Sequence, residues 1–510
     1  MRVGEGSTSV SERLFLFKMK RREFIKTSSL KAITAWAGAS LLLNACHTEE
    51  DMIGEPNWIV EGGFDRPLAM PAVVSSNVQL TAQASSHELL KGNFSNTFSY
   101  GEGILGPVIR ATKGETINVN LQNNLSEETN IHWHGLVLPD NMDGHPKDVS
   151  PAGSSLNYSL PLQQRAGTYW YHPHPHGLTA KQVFMGLSGM FLVQDDEEAL
   201  LNLPSGDYEI PLIIQDKRFS GSTLNYAPNE DEIMTGYLGE QVIVNGIFAP
   251  YLNVSSGWYR LRILNGSTAR VYNLGFSNGL QFYIIGSDGG LLKSPEQVSD
   301  VLLSPGERVD VLIDFSSLSV GKEMFLVSHA FSKYEAQGRQ SFKIMKFNVD
   351  RMENNTFTLP STLSVIDPIS ETQAVRVRTF DIAKTTGGGE GGHGSGMEGR
   401  HAINGKTFDI DRVDETVVAG TTEIWEFDNM MGDEIHPMHI HGVQFQVLER
   451  MGGRNSLIAS EKGWKDTVLL VPGEKVRLIM TFPQYKGKFV FHCHNLEHED
   501  DGMMLNYEII

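Results

Sequence analysis

Pro305-Gly306-Glu307-Arg308-Val309-Asp310-Val311-Leu312-Ile313-Asp314-Phe315 is a glycine turn running directly into a strand. Val309, Val311 and Ile313 fall on every second position, which in an extended chain puts them on one face. The pattern returns at Pro472-Gly473-Glu474-Lys475-Val476-Arg477-Leu478-Ile479-Met480-Thr481-Phe482, and more loosely from Pro151-Ala152-Gly153 to Tyr158-Ser159-Leu160. Asn245-Gly246 and Asn404-Gly405 stand a similar distance ahead of the last two copies. Three copies of a turn-plus-strand unit predict an all-β chain of three consecutive, related Greek-key β-sandwiches. Segments such as Thr116-Ile117-Asn118-Val119-Asn120-Leu121 alternate in the same way, and helix-type periodicity is scarce.

The domain boundaries follow from this repeat. The first sandwich is expected over residues 56–200, the second over 205–365 and the third over 401–510. Residues 366–400 form a linker and a Gly-rich loop, because the run 385–397 cannot bury a core. The 510 residues, less an N-terminal address, suit three units of roughly 150 residues each.

That address is read over residues 1–46. Lys20-Arg21-Arg22-Glu23-Phe24-Ile25-Lys26 resembles a twin-arginine export signal, and Met19 just before it is an alternative start. The weakly apolar residues 32–43 are too short to span a membrane. They end in Leu43-Asn44-Ala45-Cys46, which looks like a lipoprotein cleavage box with Asn44 out of pattern. The expected location is the periplasm, either free or anchored to a membrane through a lipidated Cys46. The alternative is an ordinary cleaved signal with an incidental cysteine.

The net charge of −19 argues against nucleic acid, whose phosphates demand Lys and Arg. An acidic surface keeps the chain soluble and attracts cations. Beyond Cys46 the only cysteine is Cys493, so the mature body forms no internal disulfide. A lone cysteine is core filler, a nucleophile or a metal ligand.

Its neighbours decide among these. Four motifs stand out: His132-Trp133-His134-Gly135, His172-Pro173-His174-Pro175-His176-Gly177, His436-Pro437-Met438-His439-Ile440-His441-Gly442, and His492-Cys493-His494-Asn495-Leu496-Glu497-His498 followed by Met503. In a strand each His-x-His pair points two imidazoles to one face, so four pairs supply eight imidazoles for shared metal. Cys493 faces away from His492 and His494. On its own side it meets His498 and His436, with Met503 as a weak axial donor, the pattern of a blue-copper site. Zinc would call for a closed four-ligand site rather than this grouping. His145 and His176 read as neighbours of the site or surface histidines, and His47, His87 and His329 as structural or solvated.

At these motifs, and over nearly all of the mature chain, the sequence resembles the multicopper oxidases, specifically the three-domain bacterial branch of laccase-like enzymes and periplasmic cuprous oxidases. The resemblance implies three cupredoxin sandwiches and four copper ions. It implies a type 1 copper on His436, Cys493, His498 and Met503, and a type 2 copper on His132 and His439. It implies a coupled type 3 pair on His134, His172, His174, His441, His492 and His494, with this cluster between the first and third domains. The second domain, without donors, is then a spacer. Asp143 and Glu499 match the family's acidic positions and are expected to relay protons. The implied reaction takes single electrons from a small reductant and reduces O2 to water, in a chain expected to be monomeric.

The reductant is Cu(I), with a role in copper tolerance, or a phenol or aromatic amine, as in a laccase. Cuprous oxidases of this branch carry a long Met- and His-rich insert, whereas this chain has only His393, Met397 and His401 in a short Gly-rich region, plus Met430-Met431 before His436. The remaining alternatives are a periplasmic structural or division-related factor and a copper store. Retention of every ligand position counts against the first, and a blue site wired to a cluster counts against the second.

Overall fold

The computed structural model describes residues 62–332, 335–353, 357–384 and 400–510, together with the backbone of a short strand at Trp58–Ile59. The export segment with Cys46, and the Gly-rich run 385–399 with His393 and Met397, lie outside the described residues.

The three copies of the opening motif become three equivalent strands, Ser155–Pro161, Arg308–Asp314 and Glu474–Thr481. Each follows a glycine in the left-handed region, Gly153 (φ 80°), Gly306 (φ 83°) and Gly473 (φ 73°). Each pairs antiparallel with the preceding long strand of its own unit: Thr116–Asn123, Trp258–Asn265 and Thr422–Asn429. Each of those in turn runs parallel to an earlier strand: Val78–Leu90, Glu209–Lys217 and Ala374–Lys384. The same parallel-then-antiparallel triplet thus occurs three times. Asn245-Gly246 and Asn404-Gly405 both have positive φ at both residues, the geometry of a tight hairpin turn.

The first sandwich packs a four-stranded sheet against a five-stranded one. The second packs two seven-stranded sheets, and the third a six-stranded against a five-stranded sheet. Each has its own apolar core, built around Trp133 and Tyr171, around Phe315 and Phe347, and around Trp425 and Phe491. Two expected boundaries shift: residues 58–59 and 66–67, expected in the first sandwich, pair with strands of the second, and Ala374–Lys384, expected in the linker, is a strand of the third because it runs parallel to Thr422–Asn429. Among the described residues no helix is long and apolar enough to cross a membrane.

Candidate metal centre

Two pairs of antiparallel strands carry the four histidine motifs. In the first sandwich His132–His134 lies against Gly167–His172, with His132 opposite His172 and His134 opposite Trp170. In the third, His436–Ile440 lies against Gly487–Cys493, with His439 opposite His492 and Met438 opposite Cys493. Strand alternation sorts the side chains as expected. Trp133 enters the core of the first sandwich and Cys493 that of the third, while the flanking histidines leave on the opposite face.

The eight imidazoles of the His-x-His pairs are all buried and face one another between the first and third sandwiches. Backbone carbonyls tie down the outward nitrogens of four of them. Nδ1 of His132 donates to Asp143 O at 2.8 Å, Nδ1 of His439 to Asp466 O at 2.8 Å, and Nδ1 of His172 to Pro173 O at 2.9 Å. Nδ1 of His492 donates to Cys493 O at 3.0 Å. A carbonyl only accepts, so these bonds fix the tautomers and leave each Nε2 as a lone-pair donor directed inward. Nε2 of His132 and His439 lie 3.3 Å apart, those of His174 and His492 3.2 Å, and those of His441 and His492 3.1 Å. Two nitrogens bound to one ion at about 2 Å each, near the tetrahedral angle, stand roughly 3.3 Å apart. Nε2 of His172, Nδ1 of His134 and both ring nitrogens of His494 are buried with no hydrogen-bond partner among the described residues. Unpartnered ring nitrogens buried in this way are costly unless an ion takes up their lone pairs. The donor set fits copper.

Cys493, His436 and His498 make a second group. Sγ lies 3.6 Å from Nδ1 of each histidine, and the two Nδ1 atoms are 3.3 Å apart. Met503 is buried in the same core, with its amide bonded to His498 O and its carbonyl to Cys493 N. Burial pushes the Cys493 thiol far above its ordinary range, so without a metal it stays protonated. That argues against a nucleophile and for a ligand that loses its proton on binding metal.

The two expected acids sit behind the imidazoles. Asp143 ends the short helix Asp140–Asp143, and its Oδ2 accepts from His441 Nδ1 at 2.7 Å. Burial, reinforced by Asp140 and Asp148, pushes its carboxyl well above the usual range. Glu499, on the helix Leu496–Asp500, lies 3.0 Å from His492 Nδ1 and 3.4 Å from His174 Nδ1. His145 and His176 stay out of the cluster: His145 bonds Asn506 Oδ1 at 2.8 Å, and His176 is exposed beside Phe408. His87 bonds Gly246 O.

Three further residues belong to the site and carry no local signal in the sequence. Asp466 places Oδ1 3.1 Å from His134 Nε2, and Arg308 of the second sandwich grips its carboxylate. Burial would raise the Asp466 carboxyl, but Arg308 holds it below the usual range. His401 lies against His498 with ring centres 3.7 Å apart and the planes tilted by 32°, and both Nε2 atoms donate to Met234 O, at 2.9 and 3.0 Å. His401 has no His-x-His partner and adjoins the Gly-rich run. Only the strand His401–Ile403, paired with Ala374–Lys384, brings it to the site.

Burial lowers His172 and His439 from 6.5 to about 3. Between those values the unfolded chain binds protons that the folded one does not, so stability falls as pH drops. Metal-free protein is expected to lose up to ~1.4 kcal/mol per pH unit for each such imidazole below about pH 6. Urea denaturation across that range checks it, and a flat profile would mean that the imidazoles are solvated.

Sequence models described as multicopper oxidase match residues 81–198, 238–342 and 385–509. A multicopper oxidase, Mco, of Staphylococcus haemolyticus is 38% identical over 84% of this chain and 87% of its own. The crystal structure of the McoA multicopper oxidase of the hyperthermophile Aquifex aeolicus superposes with a TM-score of 0.80 at 36% identity, covering 87% of this chain and 99% of that one. The cell division protein FtsP of Escherichia coli is also similar, 31% identical over 86% of this chain and 92% of its own.

Proposed function

Since the chain belongs to the multicopper oxidase family, and is an oxidoreductase that uses copper, O2 and a reducing substrate, we propose that it accepts electrons one at a time beside Cys493 and delivers them to a three-copper site that reduces O2 to two waters. The observation that carries this reading is the strand Gly487–Cys493 and the residue after it. Cys493 faces the group with His436, His498 and Met503, while His492 and His494 face the cluster on the other side. The bonds of three consecutive residues therefore connect the two sites.

In this reading His436, Cys493, His498 and Met503 hold the type 1 copper, and His132 with His439 the type 2 copper. His174, His441 and His492 hold one type 3 ion, and His134, His172 and His494 the other. Copper, when bound, supplies reversible one-electron steps and the place where O2 is reduced. The chain supplies the rest. Burial of every donor excludes bulk water, and outward hydrogen bonds fix the rings of His132, His172, His439, His441 and His492. Asp143 and Glu499, touching three of those rings, are placed to pass the four protons that the reaction consumes.

Two readings of the role compete. The similarity to the cell division protein FtsP points to a division-related role, but all twelve donor residues are present and gathered here, which favours the oxidase. Among reductants, the exposed thioethers of Met430 and Met431, just ahead of His436, favour Cu(I) and a role in copper tolerance over a phenol. Residues 20–26 and Cys46 support export by the twin-arginine route to the periplasm, with anchoring through a lipidated Cys46, and we take the exported chain as a monomer. Copper-loaded protein is expected to consume O2 faster with Cu(I) than with a phenolic donor. The reverse order would make it laccase-like, and no uptake with either would sink the oxidase reading.

A further inference from the structure

We propose that the second domain is a working part of the cluster: Arg308, acting through Asp466, and Gly306, by direct packing, position His134, His439 and His494. The inference rests on the oxidase reading above and revises the idea that this donor-free domain is only a spacer.

Every N–H of the Arg308 guanidinium is used. Nη1 and Nη2 form a two-pronged bond to Asp466, at 2.7 and 2.6 Å. Nη1 also bonds Gly306 O at 3.0 Å, Nη2 bonds Asp288 O at 3.0 Å, and Nε bonds Thr168 O of the first sandwich at 2.8 Å. One side chain of the second domain thereby fastens all three domains. Asp466, so held, presents Oδ1 to His134 Nε2 at 3.1 Å and its carbonyl to His439 Nδ1 at 2.8 Å. Those two rings come from different domains and stack with centres 3.7 Å apart. Behind them Lys465 bonds Asp288 at 2.9 Å and Glu307 at 2.7 Å. Arg308 and Lys465 face three carboxylates, all fully buried. A planar fork is what such a site needs, since an ammonium cannot make the same paired bond.

The turn ahead of Arg308 is the second contact. A Cβ on Gly306 would fall 2.9 Å from His494 Cδ2, 3.0 Å from its Nε2 and 3.1 Å from His134 Cε1. Gly306 also has φ 83°, so a side chain there would be strained as well as crowded. The glycine that starts the strand of the second domain is the surface on which two cluster rings rest.

The test compares Gly306→Ala and Arg308→Lys with Val311→Ala, a control that lies in the second domain's own core. Each is copper-loaded and examined by copper content, electron paramagnetic resonance and absorption, alongside O2 uptake. Gly306→Ala and Arg308→Lys should keep the blue band and type 1 signal, and lose the type 2 signal and the near-ultraviolet band of the coupled pair. Copper content should fall towards that of the blue site alone, and kcat by about 10- to 100-fold. Val311→Ala should lower stability and leave every spectrum in place. Cluster signals unchanged in both test variants would overturn the proposal. So would loss of blue and cluster signals in parallel, or the same spectral loss in Val311→Ala. If Arg308→Lys fails to fold, Gly306→Ala decides. Unmodified protein without cluster signals would instead refute the oxidase reading itself.

Discussion

Cys493→Ser is expected to abolish the blue colour of the copper-loaded protein and its O2 uptake, while the near-ultraviolet band of the coupled pair stays. The colour comes from charge transfer between thiolate and copper, and Cys493 is the only described cysteine. A serine hydroxyl is nearly the same shape but a hard, poorly ionised donor, so His436, His498 and Met503 lose the ligand that completes their group. Electrons also lose the covalent path to His492 and His494. The fall in turnover should therefore exceed the ~10- to 100-fold cost of losing only an outer partner of a ligand. Cys493 is completely buried in an apolar core, so some stability should go too. Absorption and O2 uptake together decide the matter, because a variant that stayed blue would remove Cys493 from the copper site.

Asp143→Asn is expected to lower kcat by ~100-fold or more and to flatten its dependence on pH. The exchange keeps the shape, and the amide oxygen still accepts from His441 Nδ1, so the ring stays in place. What disappears is a proton that comes and goes. Burial keeps the Asp143 carboxyl protonated to unusually high pH, so the native rate should fall as pH rises through that raised value. The variant, with nothing to titrate there, should lack that limb. An unchanged rate and profile would leave Asp143 as a bracket for His441 and move the proton supply to Glu499. A lost type 3 band would show that the exchange disturbed the ring.

The fold and the grouping of the candidate metal donors were legible in the sequence because both depend on local geometry. Alternation and a glycine turn make a strand wherever they occur, so the three copies announced three sandwiches. Residues two apart share a face of any strand, so His132 and His134, or His492 and His494, are paired before any tertiary contact forms. The separation of Cys493 from its two neighbours follows from the same rule. Asp143 and Glu499 needed a family resemblance, since one acid in a surface-rich sequence carries no signal of its own.

Other features had no local signature. Arg308 reads as one polar position in an alternating strand, and Asp466 as an unremarked acid between Lys465 and Thr467. Their bond joins positions 158 apart in the chain. His401 is an isolated histidine beside a Gly-rich run until its strand sets it against His498. The sequence by itself determined which strands form and which face each donor takes, because backbone periodicity repeats over a few residues. Only the tertiary structure decided that Gly306 lies under His494 and Arg308 behind His134. Those contacts depend on how one sandwich packs against another, which no short-range pattern encodes.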